Sequence, residues 1–195
     1  MSPVRRRRRP PSPSPAGLTP SEFESAKADA YRLIARRTRT RNEIRGRLRQ
    51  RGHREDVIEQ TLADLADLGY LDDSAFAREW CRYRLEGRPL GVRGLRRELF
   101  EKGVPADIAE GAVKEVFENV DEAELAKRLA MQRVEKGLDV QNAKGIRQMR
   151  DFLLRRGFSI NSVNEALAAA GGTWTHGSST TSPQWSGPEK GIYEN

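Results

Sequence analysis

Apolar residues recur every three to four positions along most of the chain, which is the spacing of one face of an α-helix. In the first such stretch, residues 22–37, the apolar positions are Phe23, Ala26, Ala30, Leu33 and Ile34. Period-two alternation is nearly absent, whereas Ala, Leu, Glu and Arg, which lose little side-chain freedom in a helix, are abundant. The pattern predicts an all-α fold.

The helical pattern occurs three times, and the copies align on Gly52, Gly103 and Gly157. Each glycine has an arginine seven positions before it, a leucine four before it and an apolar residue ten after it. These residues are Arg45, Leu48 and Leu62 in the first copy, Arg96, Leu99 and Val113 in the second, and Arg150, Leu153 and Leu167 in the third. Such agreement indicates an internal repeat.

Glycine and proline breaks divide each repeat into three helices, so the chain is predicted to contain three tandem three-helix repeats. Their expected bounds are residues 21–71, 72–119 and 120–170. The N-terminal tail, residues 1–20, is rich in Arg, Pro and Ser, and both it and the tail formed by residues 171–195 are predicted to be disordered. Because a unit of about 50 residues is marginally stable alone, neighbouring units are expected to pack in an elongated array.

The stretch "LGYLDD", residues 68–73, joins the first repeat to the second. We expect Gly69 to end one helix in the left-handed conformation, and Asp72 or Asp73 to act as the N-cap of the next. A metal or acid–base pair is the alternative, but it needs further ligands or a base, and none is close in sequence. A structural junction is therefore the preferred interpretation, with Leu71 stapled against Phe76.

Basic residues are concentrated in the second helix of each repeat. They are Arg41, Arg45 and Arg49 in the first, Arg93, Arg96 and Arg97 in the second, and Lys144, Arg147 and Arg150 in the third. Acids are more frequent in the third helices, so one alternative is that these charges only form solvated ion pairs. Because the clusters occupy equivalent places in three copies, we interpret them as a basic surface that faces acidic protein or nucleic-acid phosphate.

Several classes of protein are disfavoured by the composition. The net charge is +7, but five arginines of the N-terminal tail account for much of it. A single cysteine, Cys81, cannot form an intramolecular disulfide and is expected to be a small buried hydrophobe, and no apolar run is long enough to cross a membrane. We find no phosphate-binding glycine loop and no catalytic, metal or cofactor motif, and expect a cytoplasmic, non-enzymatic monomer.

Three segments carry a family resemblance. "GYLDDSAFAREWCRYRLEGRPLGVRGLRRELFEKGV" (residues 69–104), "RRTRTRNEIRGRL" (residues 36–48) and "FLLRRGFS" (residues 152–159) resemble the RecX regulatory proteins. The resemblance covers about residues 22–170. It implies a curved array of three three-helix units that binds the RecA recombinase filament on single-stranded DNA. The implied role is to modulate RecA, mainly by inhibition, in recombination, DNA repair and the SOS response.

Two other functions remain open. One is a general single-strand nucleic-acid-binding protein without RecA contact, which would need aromatic side chains for base stacking among its basic residues. Phe76, Trp80 and Tyr83 follow one another on a single helical face, and we expect that face to be buried in the core. The other is a helical scaffold. Reading of duplex DNA by a helix-turn-helix is disfavoured, because the helix that would enter the groove is acidic in the first repeat.

Overall fold

The computed structural model describes residues 19–172. Over this range the chain forms nine α-helices and no strand, so the all-α prediction is confirmed. The helices are α1 (Pro20–Ile34), α2 (Arg41–Gln50), α3 (Glu55–Asp67), α4 (Asp73–Gly87), α5 (Val92–Glu101), α6 (Ala106–Phe117), α7 (Glu122–Glu135), α8 (Ala143–Arg155) and α9 (Ile160–Ala169). The tails predicted to be disordered lie almost entirely outside the described residues.

Three hydrophobic cores divide the helices into unit 1 (α1–α3), unit 2 (α4–α6) and unit 3 (α7–α9). The leucines aligned by the sequence repeat, Leu48, Leu99 and Leu153, are fully buried, one in each core. Leu85, near the end of α4, packs against the cores of both unit 2 and unit 3. Each unit therefore has its own small core, and units 2 and 3 share apolar contact at their border.

The aligned glycines end the second helix of each unit. Gly52, Gly103 and Gly157 have φ of +86°, +73° and +78°, a conformation that costs glycine little because it has no Cβ. The residue after each glycine donates its backbone N–H to the carbonyl of the aligned leucine, at 3.0–3.3 Å. This is the Schellman arrangement of a helix end, and it explains why the repeat is visible in the sequence.

Two helix starts differ from the sequence prediction. A reciprocal capping box is present at Thr19 and Glu22, so that α1 begins at Pro20. At α2, the sequence "TRNE" (residues 40–43) has the spacing of a capping box and predicts one here. Thr40 does accept the backbone N–H of Glu43, at 3.1 Å. The Glu43 carboxylate, however, pairs with Arg37 at 2.9 Å rather than returning to the helix start. Thr40 is thus a cap, but only half of the expected box forms.

Candidate functional site

The basic second helices meet end to end at the border of units 2 and 3. The backbone N–H of Gly91, the N-cap of α5, donates to the Arg156 carbonyl at the end of α8 at 3.1 Å. The N–H of Arg93 donates to the Gly157 carbonyl at the same distance. Free backbone N–H groups at the start of α5 are thereby paired with free carbonyl groups at the end of α8. The negative end of the α8 dipole therefore faces the positive end of the α5 dipole.

The border of units 1 and 2 repeats this arrangement with different atoms. The Thr40 hydroxyl, at the start of α2, donates to the Lys102 carbonyl at the end of α5 at 2.7 Å. Gly103, directly after Lys102, lies so close to Asn42 that a side chain there would collide with it. Helices α8, α5 and α2 therefore follow one another end to end, and we call this set the second-helix column. The three predicted basic clusters therefore lie one after another along the column.

The predicted junction residues lie at the same border and have separate roles. Gly69 ends α3 with φ of +75°. Asp72 is the N-cap of α4 and accepts the backbone N–H groups of Ser74 and Ala75 at 2.8 and 2.9 Å. The expected Leu71–Phe76 staple is not the organising contact, because Leu71 is buried in the core of unit 1 and Phe76 in that of unit 2.

Three of the nine predicted surface cations are neutralised by acids of the third helices. Arg45 makes two hydrogen bonds to Glu59 of α3, at 2.7 and 3.0 Å, and Arg49 bonds to Glu55 at 2.8 Å. Arg96 pairs in the same way with Glu110 of α6 at 2.9 Å. The hydrogen bond from Arg45 lowers the pKa of the Glu59 carboxyl. These arginines join helices within their own unit.

Other cations of the column point to solvent without a carboxylate partner in the described part of the chain. Arg93, Lys144 and Arg147 are exposed, and no acid of residues 19–172 lies within ion-pairing distance of them. Arg97 donates to the Arg155 carbonyl across the border of units 2 and 3 at 3.0 Å, which leaves its positive charge uncompensated. Arg41, the first residue of α2, and Arg150, within α8, are partly buried and do not belong to this exposed set.

Exposed aromatic side chains were missed by the sequence analysis. Tyr83 is 62% exposed and not part of the core, so that expectation is wrong. Trp80 is half-buried beside it, whereas Phe76 is buried as expected. Phe100 on α5 is 76% exposed and follows Arg93, Arg96 and Arg97 at i+7, i+4 and i+3, so they share one helix face. That spacing was the available signal for Phe100.

The single cysteine lies in the core of unit 2. Cys81 is fully buried, and burial raises the pKa of its thiol to about 11. A thiol with so high a pKa is almost wholly protonated near neutral pH and is a poor nucleophile. Cys81 therefore fills space in the core rather than carrying chemistry.

Comparison with known proteins places the chain in a family. It is 34% identical to the "Regulatory protein RecX" of Mycobacterium avium strain 104 over 161 residues, which covers 80% of this chain and 91% of that protein. The chain belongs to the RecX family. Halorhodospira halophila has a relative of the same name that is 36% identical, in an alignment that covers 75% of this chain and 89% of the relative.

None of the described helices is long and apolar enough to cross a membrane.

The family's domain models and solved structures agree with the architecture. The model of the first RecX three-helix domain matches residues 26–65, and that of the second matches residues 72–113. The crystal structure of RecX from Lactobacillus salivarius superposes with a TM-score of 0.68 at 21% identity, covering 77% of this chain and 97% of that one. A second RecX crystal structure gives 0.67 at 23% identity, covering 75% of this chain and 73% of that one. These two structures support the fold.

Proposed function

We propose that this RecX-family chain binds a RecA recombinase filament on single-stranded DNA and inhibits it without catalysing a reaction. The observation that carries the proposal is the second-helix column, in which three basic helices from successive units follow one another end to end. Helices of 10 to 13 residues are roughly 15–20 Å long, so three in succession form an extended surface. A filament offers a matching row of repeated subunits.

The unpaired cations on α5 and α8 are the proposed points of contact. Arg93, Arg97 and Arg147 are exposed and lack a carboxylate partner among residues 19–172, so each can pair with an acidic side chain or a phosphate of the filament without first breaking an internal ion pair. Contacts from several units add as avidity, because once one unit binds the others are held at high effective concentration. Modest individual interfaces can then occupy a filament firmly.

The test is the DNA-dependent ATPase of a RecA protein, measured with increasing amounts of the full-length chain. We expect inhibition at less than one chain per RecA subunit, since one bound chain spans more than one subunit. The matched control is the Arg93→Glu/Arg147→Glu variant, which should require more protein for the same inhibition. An ATPase rate that stays unchanged at every ratio would refute the proposal.

A second candidate function is single-strand nucleic-acid binding without RecA contact. The exposure of Tyr83 favours it, because an accessible aromatic ring near cations is what such proteins use. The same experiment separates the two candidates. The ATPase is measured with RecA in excess over its binding sites on the DNA. If the chain binds an oligonucleotide tightly but leaves this ATPase rate unchanged, it has the second function and not the first.

A further inference from the structure

A pocket of about 260 Å³ lies at the border of units 1 and 2, beside the second-helix column. Its walls come from the loop between α1 and α2 and from one face of α4. The lining residues are Arg37, Thr38, Phe76, Glu79, Trp80 and Tyr83. The family resemblance assigns nothing to this pocket, and the proposed contacts of the column do not use it.

One wall of the pocket is a row of three aromatic rings. Phe76 and Trp80 lie nearly parallel, with centroids 6.1 Å apart and 7° between their planes. Tyr83 continues the row at 5.8 Å from Trp80, with a tilt of 43°. Because Phe76 is buried and Tyr83 is 62% exposed, the row runs from the core to the rim, and Tyr83 presents free ring surface to a ligand.

The aromatic wall is held in place by bonds from several sides. The Trp80 indole N–H donates to the Glu98 carboxylate at 3.0 Å, and that carboxylate also binds the guanidinium of Arg84. The Lys102 ammonium lies over the Trp80 ring, 3.8 Å from its centroid. These bonds hold Trp80 in place, so Tyr83 packs against a fixed ring at the centre of the wall.

The opposite wall supplies positive charge. Arg37 is half-exposed and donates to the Thr38 carbonyl at 3.1 Å. It also pairs with Glu43 at 2.9 Å, but Arg39 and Lys102 lie 3.7 and 3.8 Å from the same carboxylate, so three cations share one negative charge. Arg36 precedes Arg37 and is also exposed on the same loop. Glu79 is the one acid of the lining and lies on α4, so a negatively charged group of a ligand is expected on the Arg37 side.

We propose that this pocket binds an unpaired base of single-stranded nucleic acid, which stacks on Tyr83 while an adjacent phosphate pairs with Arg37. Planar aromatic surface next to an arginine suits a base with its phosphate, and stacking of this kind accepts any base because all have a π-face. A duplex keeps its bases inside and cannot enter in this way. The inference rests on the proposed function, which identifies the bound strand as the single-stranded DNA of the filament. It adds a direct contact between that DNA and this chain.

The experiment measures binding of a fluorescent oligothymidine to the full-length chain by anisotropy, without RecA. Tyr83→Ala should weaken binding by roughly 5- to 150-fold, the loss of one base–aromatic stack. Tyr83→Phe keeps the ring and should bind like the unchanged chain. Tyr70→Ala removes another exposed tyrosine ring, which lies outside the pocket and off the basic helices, and is the matched control, expected to leave affinity unchanged. The arginines of the N-terminal tail are present in every variant, so their contribution cancels in the comparison.

Two further readouts decide between ligands. The first readout uses an oligonucleotide of abasic sites, which should bind the unchanged chain as weakly as oligothymidine binds the Tyr83→Ala variant. The second is the slope of log affinity against log salt concentration, which should become shallower for Arg37→Ala but not for Tyr83→Ala. Equal affinities for Tyr83→Ala and the unchanged chain, or equal losses for Tyr83→Ala and Tyr70→Ala, would overturn the inference. So would a Tyr83→Ala variant that binds oligonucleotide normally but no longer inhibits RecA, since the pocket would then receive a protein side chain. A failure to inhibit RecA would count against the proposed function. A failure of the anisotropy prediction would count only against the pocket as a base-binding site.

Discussion

The carboxylate of Asp73 accepts the backbone N–H of Arg41 at 2.9 Å. Asp73 is the first residue of α4 and Arg41 the first residue of α2, so a side chain of unit 2 caps a helix of unit 1. Glu122, the first residue of α7, accepts the backbone N–H of Val92, the first residue of α5, at 2.9 Å. The same connection therefore fixes both borders of the array, and adjacent units share their helix caps.

Replacing Asp73 by alanine should lower the free energy of unfolding by about 1 kcal/mol, the scale of a lost helix cap. The loss arises because the Arg41 N–H would have no acceptor in unit 2. Asp73→Asn keeps an acceptor oxygen and should retain most of the stability. Urea-induced unfolding followed by circular dichroism measures both values.

Asp72 is the natural control, since its carboxylate caps α4 within unit 2 and does not reach unit 1. Asp72→Ala should also cost about 1 kcal/mol, and the double variant about 2 kcal/mol, because the two carboxylates cap different helices. An Asp73→Ala protein with unchanged stability and lost activity would show that this carboxylate has a functional rather than a structural role.

Close approach of backbones at the border of units 2 and 3 gives a second prediction. A Cβ on Gly94 would collide with the Arg156 carbonyl, so alanine there must push α5 away from the end of α8. Gly94→Ala should lower the free energy of unfolding by about 1–3 kcal/mol, as overpacking does. Thermal unfolding of the two proteins tests this.

Gly111 provides the matched control for Gly94. It also lies inside a helix, but nothing would contact its Cβ within 4 Å. Gly111→Ala should therefore stabilise the protein by up to about 1 kcal/mol through the better helix propensity of alanine. Equal shifts for Gly94→Ala and Gly111→Ala would contradict the contact between α5 and α8.

The repeat and its helices were predictable because their signals are local. The spacing from Leu48 to Gly52 recurs at Leu99 and Leu153, and it is set by the hydrogen bonds of a Schellman turn within one helix end. A Schellman turn favours a glycine at the same position after every helix that it ends, so its signal recurs in the sequence. The all-α fold and the number of helices in the described range follow from such signals.

Burial at the borders of the units was not predictable from periodicity. Tyr83 lies on the same helical stripe as Phe76, yet one is exposed and the other buried. A stripe shows which residues share a face of α4, but the loop of unit 1 decides how far along α4 that face is covered. The pairing of Arg45 with Glu59 likewise depends on the packing of α2 against α3, which single-helix patterns do not fix.

A partly buried ionic cluster in unit 1 predicts a dependence of stability on pH. Asp29 accepts a hydrogen bond from His53 at 3.0 Å and lies beside Arg51 and Arg32, and the bond from His53, followed by these charges, lowers the pKa of the Asp29 carboxyl. A carboxyl with a lowered pKa in the folded state stabilises the protein above its unfolded pKa of about 3.9. The stabilisation is lost as pH falls through the folded value.

Asp29→Asn tests this dependence, because the amide cannot titrate. In thermal unfolding across the acidic range, the unchanged protein should lose stability more steeply than Asp29→Asn as pH falls below about 4. Near neutral pH the variant should be the less stable of the two. Parallel curves for the two proteins would mean that Asp29 does not contribute through its charge.

Paired and unpaired arginines on the same helix should respond differently to charge reversal. Arg93→Glu removes an exposed cation that has no acid partner among residues 19–172, so stability should stay unchanged. Inhibition of the RecA ATPase by this variant should require about two- to fivefold more protein, the effect of losing one solvent-exposed charge contact. Arg147→Glu on α8 should act in the same way, and the double variant should multiply the two effects.

Arg96→Glu is the control for Arg93→Glu, since both residues lie on α5 and both changes alter the net charge equally. Arg96 pairs with Glu110, so the reversal places two carboxylates together and should lower the free energy of unfolding by about 0.5–1 kcal/mol. Because its charge is already compensated by Glu110, the effect on inhibition should be smaller than that of Arg93→Glu. Arg96→Glu could instead impair inhibition more than Arg93→Glu while both proteins stayed equally stable. In that case internal pairing would not determine which cations of α5 meet the filament.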